Sequence, residues 1–416
     1  MRIGSHEIGA EPYIIAEIGV NHDGQVGRAL ALTEAAAGAG ADAVKLQYFR
    51  ADLLLSKAAR LAAYQSDAGE TDPVAMLERL ELDRSEMAMV VERAHELGLH
   101  TIVTVFSVDL VAEARGLGWD AFKTASPDLV HRPLLEALAE DGRPMIVSTG
   151  ASTIDEVVLT AEWLAPIHNR LAMLQCVSCY PAPDTALGGV KAIARATGLP
   201  TGYSDHTEAV ETGALAVKAG ACILERHITD DRTRPGPDHG ASLDAKQFVR
   251  YVELCRSGRS TLRADSIHFD DRTHRLETGA TSATDQSSGQ CFPPPLPAGE
   301  VAESSRSEGV PEATQTLTRG LVSGTAQSGT KQVLECERDV RLVARQSIVA
   351  RRRLEAGETI KLEDLSFKRP GTGLEPWRVG EVVGRVLERA VDADEMIEGE
   401  SLAASETGET PMPPGV

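Results

Sequence analysis

Short apolar runs of this chain end, one after another, in residues able to do chemistry. The first runs into Glu17, then Gly19, Asn21, His22, Asp23 and Gly24; the second carries Lys45 and Gln47; the fourth ends in Lys123 and Ser126. The fifth supplies Ser148, Thr149 and Gly150, and the sixth Gln175, Ser178 and Tyr180. The seventh supplies Ser204, Asp205 and His206, and the eighth Glu225 and His227, with Arg234-Pro235-Gly236-Pro237-Asp238 beyond. One strand-end lysine is ordinarily a solvated charge, and two rim histidines are as often simply hydrogen-bonded as metal-bound; the convergence of so many polar ends is what favours chemistry. Lys45 and Lys123 with Ser126, Ser148 and Thr149 make an anion cradle, because charge-assisted and hydroxyl hydrogen bonds to phosphate or carboxylate are strongest in a water-poor cleft. His206 and His227, completed by a carboxylate (Glu17, Asp238) and water, suit Mn²⁺ or a similar divalent ion better than structural zinc, which prefers a closed set of nitrogen and sulfur. Such an ion polarises a carbonyl as a Lewis acid. A desolvated lysine is also a nucleophile, so Schiff-base aldolase chemistry at Lys45 or Lys123 stands as the rival. Cys176 and Cys179 form a C-x-x-C pair, yet Cys176 closes an apolar run and no second pair follows, so a strand end running into a loop is expected there.

The elements that must position these groups are legible too. The chain has 416 residues, 42% hydrophobic and 25% charged, values that exclude a wholly disordered or collagen-like polypeptide. Its formal charge of −20 repels phosphate backbones and anionic membranes, so no nucleic acid or membrane partner is expected and any anionic substrate must find its cations inside a pocket. The amino terminus lacks the apolar core of a secretory signal, and no run is long enough to span a bilayer, which reads as cytoplasmic. Six scattered cysteines are expected to be thiols there.

Apolar runs at 13–17, 43–47, 101–106, 121–123, 145–148, 171–175, 201–203 and 223–226 alternate with amphipathic stretches such as 28–39, 85–97, 154–164 and 208–219. Thr153 followed by Glu156 is a capping box, and Gly40, Gly98 and Gly220 sit where helices should stop. Eight such repeats predict an α/β fold of the (β/α)8 TIM-barrel type over residues 1–262, and the absence of G-x-G-x-x-G after the first strand removes the main argument for a dinucleotide-binding sheet. Residues 263–342 are expected to be a disordered linker or insertion, rich between 263 and 330 in Ser, Thr, Gly, Pro and charge. Residues 343–403, with β-like runs at 346–350 and 382–387 and the segment Lys368-Arg369-Pro370-Gly371, read as a small β-rich domain, and 404–416 as a disordered tail.

At its strand ends the sequence resembles the N-acetylneuraminate (sialic acid) synthase family, which also makes related nonulosonic acids. The matching pieces are Ala16-Glu17-Ile18-Gly19-Val20-Asn21-His22-Asp23-Gly24, Val44-Lys45-Leu46-Gln47, Phe122-Lys123 with Ser126, Ser148-Thr149-Gly150, Tyr180-Pro181, Ser204-Asp205-His206-Thr207, Glu225-Arg226-His227 and Arg234-Pro235-Gly236-Pro237-Asp238. Residues 344–402 are similar to the antifreeze-like (SAF, β-clip) domain of that family. The resemblance implies a metal-dependent condensation of phosphoenolpyruvate with an N-acetylated hexosamine, usually N-acetylmannosamine, giving a 2-keto sugar acid and phosphate. It implies that Lys45, Lys123, Ser126, Ser148 and Ser204 hold phosphoenolpyruvate, that His206 and His227 ligate Mn²⁺ (with Mg²⁺ or Co²⁺ as substitutes), and that Glu17 activates water or orients the aldehyde. Gln47, Asp128, Tyr180 and Asp238 would contact substrate. Arg369 matches the arginine that the family's antifreeze-like domain presents to the sugar N-acetyl group, over the barrel of the partner chain in a swapped homodimer.

Three departures stand out. Pro127-Asp128 follows Ser126 where the family commonly has Gly-Glu, and Ser178 stands where asparagine is frequent; both bear on which sugar is used, with legionaminic or pseudaminic acid synthesis from a 2,4-diacetamido hexose as the alternatives. The segment 263–330 replaces a far shorter connection, and its deletion is expected to leave activity intact. Outside this reaction class the alternatives are the Schiff-base aldolase and a catalytically silent, carbohydrate-binding protein.

Overall fold

The computed structural model describes residues 1–265 and 330–403, with side chains at 1–257 and 330–403. Eight parallel strands close into a barrel: β1 (Tyr13–Glu17), β2 (Ala43–Tyr48), β3 (His100–Val105), β4 (Ala121–Thr124), β5 (Met145–Ser148), β6 (Leu171–Cys176), β7 (Thr201–Asp205) and β8 (Ile223–His227). Each pairs with the next and β8 returns to β1, so no edge is left open. The helices α1 (Val26–Gly38), α2 (Arg84–Glu96), α3 (Val111–Arg115), α4 (Arg132–Ala139), α5 (Ile154–Trp163), α6 (Gly188–Thr197), α7 (Thr212–Lys218) and α8 (Ala245–Asp265) follow the strands in turn. The predicted strands and helices match these within a few residues, and Gly40, Gly98 and Gly220 carry the positive φ that ends a helix.

Alternation along each strand decides what the barrel encloses. Tyr13, Ile15, Ala43, Ile102, Ala121, Ile146, Ala172, Leu174 and Ile223 fill the interior, with Ile3 and Ile8 of the amino-terminal segment plugging the lower end. Their neighbours in sequence, Ile14, Val44, Val103, Phe122, Val147, Met173, Tyr203 and Leu224, face the helices. One step further along the same inward period come Glu17, Lys45, Thr104, Lys123, Ser148, Ser204, Glu225 and His227, and this layer is polar. Gly202 in β7 shows how tightly the interior closes. A Cβ there would lie 2.4 Å from the Ile223 carbonyl oxygen and 2.5 Å from Leu174 Cδ2. Backbone cannot yield as a flexible side chain can, so Gly202→Ala is expected to cost about 3 kcal/mol, read as a lower urea midpoint at unchanged slope.

The second domain packs Ile348, Leu354, Ile360, Leu365, Val382, Leu387, Val391 and Ile397 around the antiparallel pair β9 (Ser347–Ala350) and β10 (Leu365–Lys368). The expected strand at 382–387 is instead the end of a helical turn (Val379–Val382) followed by single bridges from Val386 to Thr359 and from Leu387 to Leu402. The expected linker also needs correction at both ends. Helix α8 runs on to Asp265, and from Thr330 the chain is ordered against the barrel, through the turn Glu335–Glu337 and helix α9 (Arg338–Ala344). Val340, Val343 and Ala344, three and four apart, bury one face of α9 beside Ala62 and Tyr64. The rest of the expected insertion, 266–329, and the expected tail at 404–416 lie outside the described residues. The second domain rests on the barrel of its own chain: Leu55 bridges Arg369, and Arg351 pairs with Asp109.

Candidate active site

Register brings the polar layer together. Glu17 sits beside Lys45 on one side and His227 on the other, Thr104 beside Lys123, and Ser204 beside Glu225. Above them opens a cavity at the carboxyl ends of the strands. Glu17, Lys45, Gln47, Lys123, Ser126, Ser148, Tyr180, Ser204, His206, His227, Asp238 and, from the second domain, Arg369 all line it.

Glu225 organises the floor. Its Oε1 accepts from Ser204 Oγ at 2.9 Å and lies 3.5 Å from Lys123 Nζ and 3.8 Å from Lys45 Nζ. Burial raises its carboxyl, but the two lysines outweigh burial and the net displacement is downward, so Glu225 is an anion. Lys45 also pairs with Glu17 and donates to Thr104 Oγ1 at 3.0 Å, while Glu17 Oε1 accepts from Gly19 N at 2.8 Å. Burial lowers Lys45 to about 7 against the pull of Glu225. Ser126 Oγ accepts from Gly150 N at 3.0 Å and lies 2.9 Å from Cys176 Sγ, and the buried Ser148 Oγ has no protein partner. Two cations and three hydroxyls around free space are what an anion carrying both carboxylate and phosphate needs.

The histidines stand at the other end. His206 Nδ1 lies 2.7 Å from the Val177 carbonyl, which makes that nitrogen the donor and leaves Nε2 unprotonated, 3.3 Å from Ser204 Oγ. His227 Nδ1 is buried with no hydrogen-bond partner, 3.7 Å from Asp238 Oδ2. Burial lowers His206 to about 4 and His227 well below the ordinary imidazole value, so both rings are neutral at pH 7. Their centroids are 5.8 Å apart, and the Tyr180 ring lies 4.1 Å from His206. Among the described residues no group of three His, Cys, Asp or Glu converges on one point. Two neutral imidazoles with an orphaned nitrogen fit a divalent ion whose remaining positions are left to water and substrate.

Two expected contacts are not brought into the cavity. Thr149 turns its hydroxyl to the Leu174 carbonyl at 2.9 Å, because the chain has left β5 and the next strand's backbone needs the donor. Asp128 is fully buried, and its Oδ1 accepts from Gln346 Nε2 of the second domain at 3.0 Å. It latches the lid. Burial pushes Asp128 up to about 7 even with Arg369 and Gln346 beside it. Since this exceeds the unfolded value of about 3.9, the native state keeps a proton that the unfolded chain releases between about pH 4 and 7. The contribution to stability is therefore present below pH 4 and lost as pH rises through 7. Asp128→Asn is expected to flatten that limb, read from urea midpoints at pH 5 and pH 8.

Three contributors escaped the sequence reading, and Glu225 was read as a strand end without a role. Glu225 was visible at a strand end, two residues before His227 and so on the same face, but its partners were not. Thr104 closes β3 on the same inward period. Gln346 donates to both Asp128 and the Phe106 carbonyl, and Glu337 accepts from Ala151 N at 2.7 Å and Ser178 N at 2.8 Å, tying the loops after β5 and β6. The signal for Glu337 was the apolar spacing of Val340, Val343 and Ala344 inside the stretch taken for linker.

Residues 32–265 match the NeuB family and residues 345–403 the SAF domain. The N,N'-diacetyllegionaminic acid synthase of Legionella pneumophila is 31% identical, over 94% of this chain and 95% of that protein. The human N-acetylneuraminate-9-phosphate synthase is 32% identical over 61% of this chain and 70% of its own. Among solved structures, the Bacillus subtilis spore coat polysaccharide biosynthesis protein SpsE superposes with a TM-score of 0.73 at 26% identity, covering 98% of this chain and 99% of that one. The sialic acid synthetase of Leptospira borgpetersenii gives a TM-score of 0.58 at 28% identity, over 65% of this chain and 92% of that one.

Proposed function

The chain belongs to the NeuB family, whose synthases condense phosphoenolpyruvate with an N-acetylated sugar, and from that premise we propose that its sugar is an open-chain 2,4-diacetamido hexose and its product a legionaminic-type acid plus phosphate. The observation that carries the choice of sugar is one apolar cluster in the cavity wall. Val20, Phe49, Leu54, Met76, Leu77 and Leu80 line it, from the β1 loop, the end of β2 and the short helices Ala51–Leu54 and Pro73–Leu80. N-acetylmannosamine presents one acetamido methyl and otherwise hydroxyls, which an apolar wall leaves unpaired; a second acetamido methyl finds apolar partners there. The resemblance of this chain to the Legionella pneumophila enzyme along nearly its whole length supports the same reading.

Lys45, Lys123 and the hydroxyls of Ser126, Ser148 and Ser204 bind the carboxylate and phosphate of phosphoenolpyruvate, and Glu225 holds both ammonium groups in place. His206 and His227 hold the divalent ion, Mn²⁺ by preference, with Asp238 beside them. That ion supplies Lewis acidity toward the sugar aldehyde. Gln47, Tyr180 and Arg369 orient the sugar, and Arg369 excludes water by closing the mouth from above. Glu17, fixed by Gly19 N and Lys45, stands where it accepts a proton from the water that adds to the cationic carbon. The departing phosphate then leaves against two lysine cations rather than into a neutral medium.

The test is phosphate release from phosphoenolpyruvate with Mn²⁺, comparing 2,4-diacetamido hexoses with N-acetylmannosamine and including a chelator. Chelator-sensitive release with a kcat/KM at least tenfold higher for a diacetamido sugar is expected. Preference for N-acetylmannosamine overturns the choice of sugar; no release from folded protein points to a silent carbohydrate-binding chain. One observation favours a second reading: an amine lowered to about 7 by burial, as at Lys45, suits Schiff-base aldolase chemistry. Borohydride trapping with pyruvate separates the two, since the synthase route forms no imine.

A further inference from the structure

Cys179 has its partner in the other domain. In the C-x-x-C pair, Cys176 is buried and turned into the barrel, its Sγ 2.9 Å from Ser126 Oγ. Cys179 instead sits partly exposed on the loop after β6, its thiol beside that of Cys336 in the turn Glu335–Glu337, 157 residues further along. Cys336 is partly exposed as well. The contact is not a chance brush of two surface thiols, because the neighbouring residues fix it. Glu337, next to Cys336 and fully buried, accepts from the backbone of Ser178, next to Cys179, at 2.8 Å, and from Ala151 N at 2.7 Å. Two residues beyond Ser178 is Tyr180, whose ring covers His206.

We propose that Cys179 and Cys336 form an oxidative-modification site, a dithiol that a small disulfide of the glutathione type converts into a disulfide joining the lid arm to the barrel loop. Cys179 attacks first: the hydrogen bond from Cys336 holds its thiol at about 7, below the ordinary thiol value, so a large fraction is thiolate at neutral pH. Its sulfur bonds to one sulfur of glutathione disulfide and expels the other as glutathione thiolate. Cys336 then loses its proton, attacks the Cys179 sulfur of the mixed disulfide and expels the second glutathione. Two protein thiols and one glutathione disulfide become one protein disulfide and two glutathione thiols; the two electrons pass to glutathione. The bond pins the arm that leads through α9 into the lid onto the loop that carries Tyr180. A lid that cannot lift neither admits substrate nor releases product, so turnover stops.

The experiment uses the full chain, reduced, then incubated with glutathione disulfide and divided. One half is digested without reduction and mapped by mass spectrometry; the other is assayed for phosphate release. A Cys179–Cys336 linked peptide, a fall in turnover of at least tenfold and recovery in dithiothreitol are expected. Cys336→Ser is expected to keep the basal rate and to lose the sensitivity to oxidant. Linkage of Cys176 to Cys179, glutathione adducts without a linked peptide, or a linked protein at full rate would each overturn the proposal. Only the turnover arm rests on the proposed synthase reaction; the linked peptide is read even if that reaction is absent, so the two failures are told apart.

Discussion

Lys123→Met is expected to lower kcat/KM for phosphate release about 10³-fold, the equivalent of roughly 4 kcal/mol of transition-state stabilisation. Lys123 is almost fully buried, and its ammonium is one of the two cations, each within 4 Å of Glu225, at the anion end of the cavity. Removing it takes a charge-assisted contact from the phosphoenolpyruvate phosphate in a site where water cannot substitute. It also leaves Glu225 with Lys45 alone, at 3.8 Å, and breaking one side of a buried ionic cluster costs about 3–5 kcal/mol in its own right. The variant is therefore expected to be both slow and less stable. The double variant K123M/E225Q separates the two effects: it should regain most of the urea midpoint, because no uncompensated charge remains, and none of the turnover. Recovery of turnover in the double variant would mean that Lys123 serves only to neutralise Glu225.

Arg369→Ala is expected to raise KM for the sugar about 100-fold while leaving KM for phosphoenolpyruvate within a factor of about two. The backbone of this residue is held by the barrel from both sides: Arg369 N donates to Leu54 O at 2.8 Å, and its carbonyl accepts from Ser56 N at 3.1 Å and from Ser56 Oγ at 2.8 Å. Its guanidinium sits 5.6 Å from the Phe106 ring centroid, with Nε buried and unpartnered, and faces the cavity. Truncating a group that pairs with a polar substrate atom in such a place costs about 2–5 kcal/mol. Arg369→Lys should recover little, since an ammonium has neither the planar fork nor the stacking face. A mixture of R369A and K45A chains that stays inactive would show that each second domain serves the barrel of its own chain. Recovery of up to a quarter of the wild-type rate in the mixture would show that two chains exchange lids, as the swapped homodimer of the sequence reading requires.

The expected deletion of 263–330 spares the arm but takes the last residues of α8, which ends at Asp265. A cut from 263 to 342 would remove Glu337, Arg341 and the apolar face of α9, all of which are fastened to the barrel; a cut confined to 266–329 spares them.

The barrel was legible because its code is local. Alternation of inward and outward residues is a property of neighbours in sequence, so Ile15 and Glu17, or Ala121 and Lys123, declare their common face without any knowledge of the fold. Once eight such runs exist, closure brings their ends to one rim, and the cations, hydroxyls and imidazoles that line the cavity were readable as strand ends. Thr149 was misread for a related reason: it lies one residue past β5, where the period of two no longer applies and the nearest unsatisfied group is a carbonyl of β6. Composition marked an apolar-poor stretch but ran it past the start of α9, since a helix of seven residues with three apolar positions is too short to stand out against its surroundings.

What the sequence determined by itself, then, is the set of groups at the mouth and the strand period that aims them. What only the tertiary structure decided is their partners. Glu156 illustrates the division. As a capping residue it was predictable, and its carboxylate does accept from Thr153 N at 2.9 Å. The same carboxylate also receives Arg341 at 2.7 Å and Arg345 at 2.8 Å from the arm before the second domain; burial alone would raise it, but the two guanidiniums outweigh burial and hold it down at about 2. Asp128 took Gln346 of the second domain, Cys179 faced Cys336 rather than Cys176, and Glu225 took two lysines at once for the same reason. Caps and periods are set by residues within four positions of one another, whereas ion pairs and thiol contacts form between whatever surfaces the closed barrel and its lid bring within about 4 Å, and that proximity is not written in any local stretch of chain.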